Sequence, residues 1–329
     1  MRTVRTLIAL VLALAAPAWA DEILLNVSYD PTRELWKAVN ARFVPAWKQD
    51  KGETLEIKQS HGGSGTQARA VVDGLEADVV TLAMWPDTDA IRKVGLINSG
   101  WESRFPNNST PYNSTIVFLV RKGNPKGIKD WADIVKPGVD IVTPNPKTSG
   151  AGKLAFLAAW GQVLKNGGTE GQAKEFVTKL YQQAPVLDSG ARASTVTFAQ
   201  KGIGDVQLTW ENEAYLQQKE TPGEFQIVYP SLSFLAEPPV AVVDVNASRH
   251  GTTAAANAYL NFLYTPAGQE IIAQNFYRPI DPAVAAKYRA QFPEITTFKV
   301  DTVARDWTDA YDKFFGEGKI FDSIYSQGR

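Results

Sequence analysis

The sequence predicts an α/β protein built as two lobes, with ligands expected at its strand-to-helix junctions. Three observations carry that expectation. Short β-prone runs alternate with helical patterns along the chain, the order that builds parallel sheets with helices on their faces. The chain has 329 residues, and the first twenty read as a cleaved leader, so 309 remain. That is enough for two bodies of about 100–200 residues each. Finally, the strand-to-helix junctions are rich in Gly, Ser, Asp and Ala, the loops that carry ligands at the carboxyl ends of strands.

Taken in order, the chain opens with a secretory leader. Arg2 and Arg5 give a positive start, residues 6–15 are apolar, and Ala18-Trp19-Ala20 is an A-x-A cleavage site. No later segment reaches the roughly 18 uninterrupted apolar residues of a membrane span, so a soluble mature protein is expected.

Ile23 to Ser28 reads as a strand, and Asp30-Pro31 as the N-cap and first position of a helix. Leu35, Val39, Phe43 and Trp47 recur at helical spacing and mark that helix's buried face. Leu55 to Gln59 is a strand, followed by "SHGGSG" and a helix through Val72. Asp78 to Ala83 and Thr115 to Val120 are strands, the latter closing in the turn "RKGNP".

Val139 to Val142 is the next strand, then "PNPKTSGAG", then a helix through Trp160. Pro185 to Leu187 is a strand before "DSGAR", which opens a helix that stops near Gly202. Asp205 to Thr209 leads into a helix opened by Trp210-Glu211-Asn212-Glu213. Glu237 to Asp244 is a strand behind a Pro-Pro entry, and the last third is mainly helical, with Asn261 to Gln274 as its clearest helix.

Composition removes several chemistries. The formal charge is −1, and −3 once the leader's two arginines are gone, with no Lys/Arg-rich run. Nucleic acid is therefore not an expected partner. There is no cysteine, so no thiol nucleophile, Fe–S cluster or Cys-based zinc site, and an exported chain must rely on a large core instead of disulfides. The two histidines, His61 and His250, lie far apart, and H-E-x-x-H is absent. Neither a metal nor any other cofactor is expected.

Five junctions remain as site candidates, near Asp30, Ser64, Ser149, Ala191 and Trp210. Helix N-termini carry unpaired N–H groups and partial positive charge. Several of them meeting at one point would hold an anion without a charged side chain.

Each has a plainer reading beside it. Gly63 to Ala68 matches G-x-G-x-x-G/A, as a dinucleotide loop, a structural turn or a small-anion loop would. Ser64 lies three residues from His61, but no orienting acid completes a triad. His61 reads better as a loop hydrogen-bonder behind the site. Ser149 can be an N-cap and Trp210 a core residue, yet an indole N–H is a donor only and suits an anion. Glu211 and Glu213 sit two apart and do not share a helix face, which fits a solvated surface or a salt-bridged helix start.

The stretches "LLNVSYDPTRELW", "QSHGGSGTQA", "STIVFLVRKGNPK", "PNPKTSG", "LDSGAR", "GIGDV", "WENEA" and "TPAGQEIIAQNFYRP" together resemble the periplasmic sulfate-binding proteins of ABC importers. The resemblance runs from about Ile23 to the C-terminus. It implies the type II periplasmic-binding-protein fold, with one lobe over residues 21–116, the other over 117–235, and residues 236–329 returning to the first with C-terminal helices.

It further implies a dehydrated sulfate held by the main-chain N–H groups of Asp30, Ser64, Gly150, Ala151 and Ala191, the Ser149 hydroxyl and the Trp210 indole. Relatives often carry Gly where this chain has Ala151. A backbone donor survives that change if the residue opens a helix with negative φ. Arg192, next to Ala191, is expected behind the site, buttressing loop carbonyls.

The resemblance also implies a periplasmic monomer without catalytic residues that delivers its anion to a membrane permease. Thiosulfate or molybdate receptors of the same fold are the alternatives, and an exported sulfate- or phosphate-ester hydrolase is the rival from another class.

Overall fold

The computed structural model describes residues 22–327, so the leader reading lies outside the described residues. Two sheets organise the chain. The smaller has strands β1 (Glu22–Tyr29), β2 (Leu55–Gly62), β3 (Val79–Thr81) and β10 (Val240–Val242), in the order β10-β3-β1-β2. The larger contains β4 (Tyr112–Arg121), β5 (Ile141–Pro144), β6 (Leu187–Asp188), β7 (Val206–Trp210), β9 (Leu232–Ala236) and β12 (Thr296–Phe298). Its order is β12-β9-β4-β7-β5-β6, with β8 (Phe225–Val228) and β11 (Arg278–Pro279) also paired to β4.

The sheets are mixed, not purely parallel. β1 pairs β2 and β3 in parallel, and β5 pairs β6 and β7 in parallel. β10 runs antiparallel to β3, and β4 runs antiparallel to β7, β8, β9 and β11.

Each sheet has its own core. Helix α1 (Arg33–Lys51) buries Leu35, Val39, Phe43 and Trp47, the predicted stripe, and Trp36 beside them. Gly52 at φ 72° closes it, donating its N–H to the Lys48 carbonyl. Helix α2 (Ser64–Val72) ends by Gly74, and α3 (Trp85–Lys93) follows β3.

The larger sheet packs on the apolar helix Gly150–Lys165, where Leu154, Phe156, Leu157 and Trp160 are buried. From β12 onward the chain joins this second core, with Phe298, Phe314 and Phe321 packed in the same cluster as Phe156.

The expected helix Asn261–Gln274 is instead two helices, Thr253–Phe262 and Pro266–Gln274. Thr265 caps the second through its hydroxyl, which accepts the Gly268 N–H, and Pro266 occupies the first helical position. Among the described residues no helix is long and apolar enough to cross a membrane, and no group of three metal-ligating side chains occurs.

Candidate anion site

The site forms where β strands end and helices begin. Ser64 is the first residue of α2, after the Gly63 cap. Gly150 and Ala151 open the helix Gly150–Lys165 with Ser149 as N-cap, its Oγ accepting the Gly152 N–H at 3.4 Å. Ala191 opens the short helix Ala191–Thr195 after Gly190, which continues as a wider turn to Gln200. Trp210 ends β7 and caps the helix Glu211–Glu220. In every case a main-chain N–H falls in a first turn, where no intrahelical acceptor exists.

These segments converge. Asp30, Ser64, Ser149, Gly150, Ala151, Ala191 and Trp210 all line one small space of about 10 Å³, together with Tyr29, Pro31, Gly62 and Gly63. No Lys or Arg is among its lining residues. Trp210 is fully buried, and its Nε1–H has no hydrogen-bond partner among the described residues. Tyr29 packs against the indole at 5.2 Å between ring centroids, fixing its plane. A donor-only group left unpaired in a buried space costs about 1–3 kcal/mol unless a ligand accepts from it.

Asp30 departs from the sequence reading. It is not an N-cap: the chain makes a 3₁₀ turn, Asp30–Thr32, with Tyr29 at the cap position and no side-chain cap. The Asp30 carboxylate instead accepts from Arg33 Nη2 at 2.7 Å. Its other oxygen faces Gly190, where a Cβ would lie 2.5 Å away. Ala151 falls in the first turn of its helix and outside the positive-φ region, so its Cβ carries no backbone penalty.

The two residues expected behind the site do not line the space. His61 sits near the end of β2, not in a loop, with Nδ1 2.5 Å from Ser28 Oγ. Burial, with Arg33 nearby, pushes its imidazole down to about 4, so it is neutral at pH 7. Arg192 does not buttress carbonyls. It pairs with carboxylates, Glu34 at 2.9 and 3.2 Å and Glu213 at 3.0 Å, because both acids lie within its reach and a guanidinium fork matches a carboxylate.

Glu211 and Glu213 are likewise buried, not solvated. Glu211 receives Arg278 through two bonds of 2.7 Å, and Tyr229 at 2.8 Å. Burial pushes Glu213 up to about 7 against the opposing cation of Arg192.

Residues that sequence reading missed stand around and behind the space. Tyr29 and Gly62 lie inside quoted motifs but carry no signature of their own. Asp87 and Lys153 pair across the two sheets and have no local signature. The larger groove beside them, about 920 Å³, mixes Arg69 and Lys93 with Asp73, Asp312 and Glu317, without converging donors.

Comparison with known proteins agrees with this geometry. The family model described as bacterial extracellular solute-binding protein matches residues 34–278. The sulfate-binding protein of Escherichia coli is 54% identical over 306 residues, 92% of this chain and 93% of that one. The thiosulfate-binding protein of Pseudomonas aeruginosa is 51% identical over 323 residues, 98% and 97% of the two chains. Among solved structures, the sulfate-binding protein SubI from Mycobacterium tuberculosis matches with a TM-score of 0.81 and 32% identity, covering 89% of this chain and 99% of that one.

The periplasmic binding protein AfuA from Actinobacillus pleuropneumoniae shares the fold at a TM-score of 0.64 and 14% identity, over 93% of this chain and 98% of that one. The fold is that of the type II periplasmic binding proteins, and the chain belongs to the family of bacterial extracellular solute-binding proteins.

Proposed function

We propose that this protein captures sulfate as a dehydrated dianion in the space between its lobes and hands it to the membrane permease of an ABC importer. The observation that carries this is the unpaired indole N–H of Trp210, buried in a space otherwise walled by helix N-termini. The donors are the main-chain N–H groups of Asp30, Ser64, Gly150, Ala151 and Ala191, the Ser149 hydroxyl and the Trp210 indole. Helix dipoles and oriented amides offset the charge in place of a paired cation.

Sulfate at neutral pH has no proton, so donors alone satisfy it. Monohydrogen phosphate brings an O–H that needs an acceptor, and leaving it unpaired costs about 1–3 kcal/mol or more. Asp30 is the acidic residue on the lining, and one of its oxygens is taken by Arg33. One lobe takes residues 21–116 and the chain returning after residue 235, the other residues 117–235 and the segment from β12 onward, and the two close over the anion. The protein acts in the periplasm as a monomer, and binding alone, with no covalent step, is its contribution.

Thiosulfate is a second ligand of this site, supported by a relative named for it at 51% identity. Equilibrium dialysis of the exhaustively dialysed protein with radiolabelled sulfate tests the reading. One sulfate retained per chain, and strongly reduced retention by Trp210→Phe, is the expected result. No retention of sulfate by the wild-type protein overturns it.

A further inference from the structure

The loop that presents Ser149, Gly150 and Ala151 is braced from outside by the far end of the chain. Within the loop the bonds are those of ordinary turns: Asn145 Oδ1 accepts the Lys147 N–H at 2.9 Å, and the Asn145 carbonyl accepts the Ser149 N–H at 2.9 Å. Lys147 does not line the anion space. Its Nζ donates to the Phe315 carbonyl at 3.0 Å, the Gly316 carbonyl at 3.1 Å and Asp322 Oδ2 at 2.9 Å. An ammonium has three donors, and the C-terminal segment takes all of them. The two carbonyls close the turn Tyr311–Phe315, the end of a helical turn that favours a cation. Phe314 and Phe315 also pack on Phe156, in the helix that Gly150 opens, each at 5.3 Å between ring centroids. The bracing extends to the next donor loop. Thr148 Oγ1 donates to the Ser189 carbonyl at 2.8 Å, and the Asn145 N–H to the Asp188 carbonyl at 2.8 Å, just ahead of Ala191.

We infer that Lys147 is a positioning residue that docks this loop on the C-terminal segment, so that Ser149, Gly150, Ala151 and Ala191 present their donors already ordered when the anion arrives. Lys147, Asp322 and both donor loops belong to one lobe, so the contact persists whether the lobes are apart or together. Without it the loop must be ordered at the moment of binding, and that cost is taken from affinity. The Lys147 and Asp322 side chains are 32% and 34% exposed, and an ion pair so open to water adds little to stability. Its loss therefore registers in binding and in loop order, not in melting.

This inference rests on the sulfate reading above. Its test is calorimetric sulfate titration of the wild-type protein, Lys147→Met, Asp322→Asn, the double variant of these two, and Lys147→Met combined with Trp210→Phe. Melting temperatures and NMR order parameters of the Gly150, Ala151 and Ser64 amides are measured on the sulfate-free proteins. Lys147→Met is expected to weaken sulfate about twofold to tenfold. Asp322→Asn weakens it less, because the two carbonyls still hold Nζ. The double variant is no weaker than Lys147→Met alone, since Asp322 acts through Lys147. With Trp210→Phe the losses multiply, because that donor stands outside the loop. Order parameters of Gly150 and Ala151 fall in Lys147→Met, that of Ser64 in the other lobe does not, and the melting temperature stays near the wild-type value.

Wild-type affinity in Lys147→Met would overturn the positioning role while leaving sulfate capture intact. So would an early melt with unchanged order parameters at Gly150 and Ala151, which would assign Lys147 to the stability of the fold. A double variant much weaker than Lys147→Met would remove Asp322 from the brace. A wild-type protein that takes no sulfate overturns the functional reading, and the positioning role with it.

Discussion

Trp210 concentrates the chemistry of the site in one group. Its indole can only donate, it is buried, and it has no protein acceptor among the described residues. Replacing it by Phe keeps a ring against Tyr29 and removes the donor together with part of the indole's volume. Sulfate affinity should fall by about tenfold to a hundredfold, the worth of one hydrogen bond to a charged acceptor. Calorimetry on the purified variant checks this, with the variant confirmed folded by a cooperative melt in the absence of sulfate.

His250 makes a separate prediction, about stability and not about binding. Its Nδ1 lies 2.8 Å from Asp78 and its Nε2 3.2 Å from Glu76. The Asp78 hydrogen bond raises its pKa, against partial desolvation and with help from Glu76. A raised folded-state pKa gives stability that is fully present below the ordinary histidine value of about 6.5 and is lost as pH rises through the folded value. Thermal unfolding measured from pH 6 to pH 9 should therefore show a decline in the wild-type protein that is smaller in His250→Gln. Equal declines would remove the assignment.

Residue-level reading was uneven for a physical reason. A donor set made of backbone N–H groups is legible wherever Gly, Ser and Ala mark a strand-to-helix junction, and those junctions did converge. Side-chain partnerships between distant segments leave no local trace. Glu211 and Glu213 read as a solvated surface or a salt-bridged helix start; the second holds, but their partners, Arg278 and Arg192, come from other elements and could not be named. Asp30 followed by Pro31 has the signature of a cap, yet the nearby Arg33 captured its carboxylate and a 3₁₀ turn formed instead.

Among the elements, the glycines at the lobe contact are decisive. A Cβ on Gly150 would lie 2.5 Å from the Ala83 Cβ and 3.2 Å from the Ser64 Cβ, across the cleft. A Cβ on Gly63 would lie 2.5 Å from the Thr148 carbonyl oxygen, again across the cleft. Gly150 has helical φ, so its glycine serves close approach and not a backbone conformation.

Gly150→Ala should therefore leave the sulfate-free protein as stable as before, since Ala suits a helix better. Its sulfate affinity should drop by about tenfold to a hundredfold, the cost of holding the lobes apart by one methyl. A variant that binds like the wild-type protein would show that the lobes do not need this contact.

Element existence was largely readable because long amphipathic runs such as α1 dominate their surroundings. The short strands β8, β9, β11 and β12 were not read, since two to five residues give too little alternation to identify a strand. The break between Phe262 and Pro266 was written in the sequence as Thr265-Pro266, a cap followed by the residue that favours a first turn.

At the scale of the whole molecule, two mixed sheets bring five chain segments to one small space. Distributing donors over both lobes means that the complete set exists only when the lobes meet. Sulfate should therefore compact the protein, and small-angle scattering should record a smaller radius of gyration with saturating sulfate than without it. An unchanged radius would argue for a preformed pocket that needs no closure.

A binding site whose contacts to the anion are all donors selects a dianion without a proton. Calorimetric titration of the dialysed wild-type protein at neutral pH with sulfate and, separately, with phosphate tests it most directly. Tight one-to-one binding of sulfate is expected, with phosphate binding weaker by at least about tenfold to a hundredfold, the cost of one unpaired O–H. Phosphate bound as tightly as sulfate would contradict it, and would mean that the Asp30 carboxylate turns from Arg33 to accept the phosphate proton.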